Sequence, residues 1–89
     1  MKKVLSLAMQ LLERINSAVS ARIAYCEQAR DDVEDDKVSR YYKEIKLLLG
    51  TENQLLPIID ATIDQGDKTE LRAALDAIHD DEDIQSLLS

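Results

Sequence analysis

Residues 3–30 read KVLSLAMQLLERINSAVSARIAYCEQAR and contain neither glycine nor proline. Apolar side chains recur in this stretch at steps of three and four residues, the spacing that lines one side of an α-helix. The pattern predicts a single amphipathic helix, roughly 42 Å long at about 1.5 Å per residue. Its apolar stripe comprises Val4, Leu5, Ala8, Leu11, Leu12, Ile15, Ala18, Val19, Ile23, Cys26 and Ala29.

A second helix of similar length is predicted over residues 37–65. Gly50 followed by the capping-box pattern of residues 51–54 indicates a helix end at that point. The alternative is one long helix that bends at Pro57. The apolar phase favours the long helix, because a loop has no reason to preserve it. After Leu49 the pattern resumes seven residues later at Leu56, and then at Ile59 and Ile63.

Polar segments predict the turns. Residues 31–36 contain five acidic side chains in six positions, and we expect a solvated turn that caps the second helix. This run lacks the glycine and the terminal glutamate of a calcium-binding loop. Gly66 ends the second helix, and residues 67–70 resemble a capping box that starts a short third helix. Residues 80–83 then restart the chain, and residues 84–88 form a last apolar turn.

These elements predict an all-α fold with residues 1–89 as one domain. A compact sphere of this length has a radius of gyration of about 12 Å and a diameter near 31 Å, shorter than the first helix. The first helix therefore needs a mate of equal length. We expect an elongated antiparallel helical hairpin with a short third helix, a small helical bundle. Because the apolar stripes are wide, we expect a homodimer to complete a four-helix core.

The charge distribution argues against nucleic-acid binding. The formal net charge is −7, made of +3 over residues 1–30 and −10 over residues 31–89. Binding to phosphates needs clustered Lys and Arg. The most basic short stretch, residues 40–46, is interleaved with tyrosine and isoleucine, which disfavours a helix-turn-helix protein. We therefore expect no direct nucleic-acid partner.

The sequence also indicates a location. A single cysteine, Cys26, forms no intramolecular disulfide, which is typical of a reducing compartment. The N-terminus begins like a signal peptide, but Gln10, Glu13 and Arg14 interrupt its apolar run. No stretch approaches the roughly 20 apolar residues that span a bilayer. We expect a cytoplasmic protein that is not inserted in a membrane.

No catalytic or metal-binding constellation is apparent. His79 is the only histidine and lies at a predicted helix end next to carboxylates, where it complements the helix dipole. Cys26 falls on the apolar stripe, as a small core residue does. No second histidine or cysteine completes a transition-metal site. We expect no enzyme activity and no cofactor.

The function that remains is a non-catalytic protein–protein interaction module, a small acidic helical adaptor, regulator or chaperone. The alternative is an acidic inhibitor that mimics nucleic acid or neutralises a basic enzyme or toxin. It ranks second because the carboxylates cluster at 31–36 and 80–83 instead of following one face. The candidate interaction residues are Leu7, Ile23, Tyr41, Tyr42, Leu47, Leu55, Ile58, Ile84, Leu87 and Leu88.

Overall fold

The computed structural model describes residues 2–29 and 36–89. Over these residues the chain forms α-helices and no β-strand, with short connections at residues 66–68 and at residue 81. The helices are α1 (Lys2–Gln28), α2 (Asp36–Gln65), α3 (Thr69–Asp80) and α4 (Glu82–Leu88).

The prediction of a small all-α bundle is confirmed, with one correction. The sequence predicted one short helix after the hairpin, and the structure contains two. Asp81 starts the second of them, because its Oδ1 accepts hydrogen bonds from the backbone N–H groups of Asp83 at 3.0 Å and Ile84 at 3.2 Å. The predicted acidic turn at 31–36 lies, apart from Asp36, outside the described residues.

Helices α1 and α2 form the antiparallel hairpin. Arg22 pairs with Glu44, and the ring of Tyr25 meets that of Tyr41 edge-on, so that a later position on α1 meets an earlier one on α2. The molecule measures 52 × 22 × 16 Å and has a radius of gyration of 15.3 Å. A compact chain of this length has a value near 12 Å. The protein is therefore elongated along the hairpin axis, as predicted.

Helix α2 runs without interruption through Gly50 and Pro57, as the apolar phase predicted. Proline lacks the N–H group that would bond to the carbonyl four residues earlier. That carbonyl belongs to Asn53, and both Asn53 and Pro57 are exposed, so water can satisfy it. A Cβ at Gly50 would meet no atom within 4 Å, so no close contact requires a glycine there.

The core lies between α1 and α2 and is closed at one side by α3 and α4. Two buried threonines interrupt the apolar surface of α2. The hydroxyl of Thr51 donates to the carbonyl of Leu47 at 3.1 Å, and that of Thr62 donates to the carbonyl of Ile58 at 2.8 Å. Neither buried hydroxyl therefore lacks a partner. The buried apolar residues are Val4, Ala8, Leu11, Ile15, Val19, Leu48, Leu55, Ile59, Leu71 and Ile84.

The connection from α2 to α3 depends on Gly66. Its φ of +72° lies in the left-handed region, and its N–H donates to the carbonyl of Thr62 at 2.9 Å. The capping box predicted at residues 67–70 is not formed in the expected register. Lys68 occupies the N-cap and makes no side-chain cap bond, whereas Asp67 Oδ1 accepts from the N–H of Thr69 at 3.0 Å.

Candidate interaction surface

One side of α2 carries an exposed apolar residue at every seventh position. These residues are Tyr42, Leu49, Leu56 and Ile63, with exposed fractions between 38% and 59%. Seven residues are two turns of a helix, so the four side chains project from the same side. A seven-residue apolar repeat is the pattern by which one helix packs lengthwise against others in coiled coils.

Helix α1 carries a matching stripe. Met9, Asn16 and Ile23 are also spaced by seven residues, and all three are exposed. Leu5 and Leu12 are half-buried at the margin of this stripe, where they pack against the core. The stripe is therefore continuous with the interior of the hairpin, with Asn16 as a polar position at its middle.

The stripes of α1 and α2 lie on the same side of the hairpin. Leu7 borders a surface depression with Leu75 of α3, and Leu47 borders one with Ile84 of α4, so both leucines mark the side that the short helices cover. At about 100° per residue, Met9 lies about 160° from Leu7 around α1, and Leu56 lies about 180° from Leu47 around α2. Both stripes therefore face away from α3 and α4.

We call this side of the molecule the open face. By the helical angles given above, no described residue of α3 or α4 lies on this side. Within its seven-residue pattern, from Leu5 to Ile23 and from Val38 to Ile63, Glu52 is the only charged side chain, and Glu27 and Asp60 border the pattern on the same side. The open face is thus an apolar strip on an acidic protein. It consists of Met9, Asn16 and Ile23 from α1, and of Tyr42, Leu49, Leu56 and Ile63 from α2.

The structure divides the candidate residues predicted from the sequence into three groups. Leu55 and Ile84 are buried, with 1% and 2% of their surface exposed, so they hold the bundle together and are not available to a partner. They were chosen because apolar spacing alone does not tell a core position from a surface one. The half-buried candidates are Tyr41, Ile58, Leu87 and Leu88, and the exposed ones are Leu7, Ile23, Tyr42 and Leu47.

The two adjacent tyrosines of α2 have different surroundings. The ring of Tyr41 meets that of Tyr25 edge-on, with centroids 5.3 Å apart and planes at 73°. The ammonium of Lys37 lies 4.5 Å from the centroid of Tyr25, and the guanidinium of Arg22 lies 5.3 Å from that of Tyr41. Tyr41 therefore packs against α1 and stabilises the contact between α1 and α2, whereas Tyr42 points outward on the open face.

The polar groups singled out in the sequence are dispersed. Cys26 is half-buried near the end of α1, whereas His79 is exposed and borders a depression with Leu7, near the start of α1. The N–H and the hydroxyl of Thr69 donate to the carboxylate of Asp67 and hold its pKa below the usual aspartate value. Across residues 2–29 and 36–89, no three side chains of His, Cys, Asp or Glu gather as metal ligands.

No helix in the described part of the chain has the length and hydropathy needed to cross a bilayer.

The sequence-based candidates missed five residues of the open face, namely Met9, Asn16, Leu49, Leu56 and Ile63. The signal that identifies them is the spacing of seven residues from Met9 to Ile23 on α1 and from Tyr42 to Ile63 on α2. That spacing is visible in the sequence, but it marks a surface only once the covered side of α2 is known. No protein-family model, curated protein or solved structure matches this chain.

Proposed function

We propose that this chain is a non-catalytic protein–protein interaction module that binds a protein partner through the open face. The observation that carries the proposal is the exposure of two parallel apolar stripes on one side of a helical hairpin. Contiguous exposed apolar surface on a small protein is typical of an interaction site. The free-energy cost of exposing these side chains to water is removed only when another apolar surface covers them.

The geometry of the stripes favours a helical partner. A seven-residue repeat stays in line with a neighbouring helix that crosses at about 20°, because the two helices then supercoil slightly around each other. The stripe from Tyr42 to Ile63 covers three such repeats, about 32 Å of helix. A partner that buries the whole stripe therefore presents at least one helix of comparable length.

The acidic exterior and the single half-buried cysteine support an adaptor, regulator or chaperone that works in the cytoplasm, and the width of the apolar stripes supports a homodimer. The charge lies mainly outside the open face, where it favours solubility and attracts basic surfaces. An inhibitor that imitates phosphates remains the second candidate. It is supported by the exposed run at 80–83, although Asp81 uses a carboxylate oxygen to cap α4.

The test uses two matched variants of α2. Leu56→Asp introduces a charge on the open face at a site 44% exposed, and Leu47→Asp introduces it on the side of α4 at a site 46% exposed. Their similar exposure makes their effects on folding comparable, which circular dichroism and thermal unfolding verify. Each protein is isotopically labelled, immobilised and incubated with native lysate, and bound proteins are eluted by stepped salt.

We expect the wild type and Leu47→Asp to retain the same partner at high salt, and Leu56→Asp to lose it, because an apolar contact is insensitive to screening. Equal capture by all three proteins would overturn the proposal. Release of a basic nucleic-acid-binding protein at modest salt, whichever variant is used, would favour the charge-mimic inhibitor.

A further inference from the structure

Residues of the two open-face stripes lie side by side, at the same positions along the hairpin axis. The pairing of Arg22 with Glu44 sets the register of α1 against α2. Met9 lies thirteen residues before Arg22, and Leu56 lies twelve residues after Glu44, so these two residues are level to within about one residue's rise of 1.5 Å. The open face therefore presents level pairs, one residue from each helix.

The same arithmetic gives two more levels. They are Asn16 with Leu49, and Ile23 with Tyr42, each two helical turns from the next. A four-helix bundle has a core built of such layers, with one residue from each of four helices. Each level of the open face supplies half of a layer. Another hairpin with the same spacing, the same length and its own exposed pair at each level would supply the other half.

The area of the open face is close to what such a contact requires. The chain exposes 6324 Å², whereas a compact monomer of 10.0 kDa exposes about 5,200 Å². This surplus reflects the elongated shape of the whole molecule, of which the open face is one part. The longer stripe runs about 32 Å and the molecule is 22 Å wide, which gives the face a footprint of about 700 Å², near the roughly 800 Å² that a stable interface needs from each partner.

The charge pattern permits self-association in spite of the net charge of −7. Like charges that meet across an interface destabilise it, but the open face carries only Glu52 within its repeat. Glu27 and Asp60 also project from this side, because they lie five full turns after Met9 and Tyr42 respectively, but both stand at the ends of the face, beyond the three levels. Asn16 stands at the middle of the α1 stripe, and a single asparagine at such a position is known to set the register between packed helices.

Resting on the proposed function, we infer that the partner of the open face is the open face of a second copy of this chain, in a two-fold dimer with a four-helix core. Each copy contributes the levels Met9/Leu56, Asn16/Leu49 and Ile23/Tyr42. Closed two-fold symmetry lets one self-complementary surface bury itself completely, with no apolar face left exposed.

The test is sedimentation equilibrium of the purified full chain at concentrations from sub-micromolar to tens of micromolar. We expect a mass twice the 10.0 kDa of the chain at the upper concentrations. Leu56→Asp and Met9→Asp on the open face convert the dimer to monomer. Leu47→Asp and Leu7→Asp are the matched controls on the covered side and leave the dimer intact. Because the variants lie on both α1 and α2, the test still gives a result if one of them fails to fold.

A further variant tests whether Asn16 lies in the dimer interface. Asn16→Leu replaces the polar position with an apolar one, and we expect the dimer to dissociate about ten-fold less readily, because polar seam positions weaken association. A monomeric wild type at tens of micromolar would overturn the inference that a second copy of the chain covers the open face. Equal weakening by Leu56→Asp and Leu47→Asp would overturn it as well.

The lysate experiment separates this inference from the proposed function. A monomeric wild type that still captures another protein through the open face would overturn the dimer and leave the interaction module in place. If the wild type is monomeric and captures no protein whose binding is lost in Leu56→Asp, both the dimer and the interaction module are overturned. Capture of the unlabelled form of this chain by the labelled one, lost in Leu56→Asp, would support the second copy.

Discussion

The guanidinium of Arg22 on α1 donates a hydrogen bond from Nε to Oε1 of Glu44 on α2 at 2.9 Å. The same side chain donates from Nη1 to the carbonyl of Ala18 at 3.0 Å and from Nη2 to that of Leu87 on α4 at 3.3 Å. One residue therefore joins α1, α2 and α4. Both charged side chains are largely buried, which keeps water from competing for these bonds.

Replacement of Arg22 by alanine is expected to lower the free energy of unfolding by about 1–3 kcal/mol, because the largely buried Glu44 loses its 2.9 Å bond and keeps only the 3.6 Å ion pair with Arg40. Urea denaturation followed by circular dichroism measures the loss. Arg14→Ala, at an exposed position on the same helix, serves as the control and should change stability by less than about 0.5 kcal/mol. Equal effects of the two substitutions would contradict the role of the Arg22 bonds.

Alanine substitutions at Gly50, within α2, and at Gly66, just after its end, should change the free energy of unfolding in opposite directions. Gly50→Ala is expected to raise the free energy of unfolding by about 0.5–1 kcal/mol, because alanine favours a helix and its Cβ meets open space. Gly66→Ala is expected to lower it by about 1 kcal/mol or more, because φ there is +72°. Thermal and urea unfolding of both variants check the signs, and destabilisation by Gly50→Ala would argue against a continuous α2.

Pro57→Ala provides a second check on the continuity of α2. Alanine supplies the missing N–H to the carbonyl of Asn53 on the exposed side of the helix, so stability should rise, by up to about 3 kcal/mol. Amide hydrogen exchange should show slower exchange around residues 53–61 in the variant. A chain in which the proline ends the helix would show no gain.

The cap of α4 should depend on the side-chain oxygen of Asp81. Asp81→Ala is expected to cost about 0.5–2 kcal/mol, since the N–H groups of Asp83 and Ile84 lose their acceptor. Asp81→Asn should retain most of the stability, because asparagine caps helices about as well as aspartate. Similar losses in both variants would show that the charge matters more than the cap.

The carboxyl of Asp67 should titrate below an ordinary aspartate. Its folded-state pKa is lowered, first by the N–H of Thr69 and then by the Thr69 hydroxyl. The group therefore contributes stability that is present above about pH 4 and is lost as the pH falls through the lowered folded value. NMR titration of the side-chain carbon measures the midpoint. Thr69→Val should raise the midpoint only in part, because the backbone bond remains, and an unchanged wild-type midpoint near the usual value would refute the expectation.

Local patterns predicted the helices well because each signal acts within a few residues. The absence of Gly and Pro over residues 3–30, and the unbroken phase from Leu49 to Leu56, identified two long helices. The antiparallel hairpin followed from length alone. The number of short helices did not follow from the sequence, because Asp81 and its neighbours are all acidic and any of them can act as a cap.

The amphipathic stripes in the sequence determined that this protein is a hairpin of two long helices, since three- and four-residue spacing dictates which residues share a side. The identity of the surface was decided only by the tertiary structure. Leu47, Leu48 and Leu49 are equal in the sequence, yet Leu48 is buried, Leu47 borders α4 and Leu49 lies on the open face. The reason is that each stripe is wider than one helix contact needs, and α3 and α4 can cover only one of its two flanks.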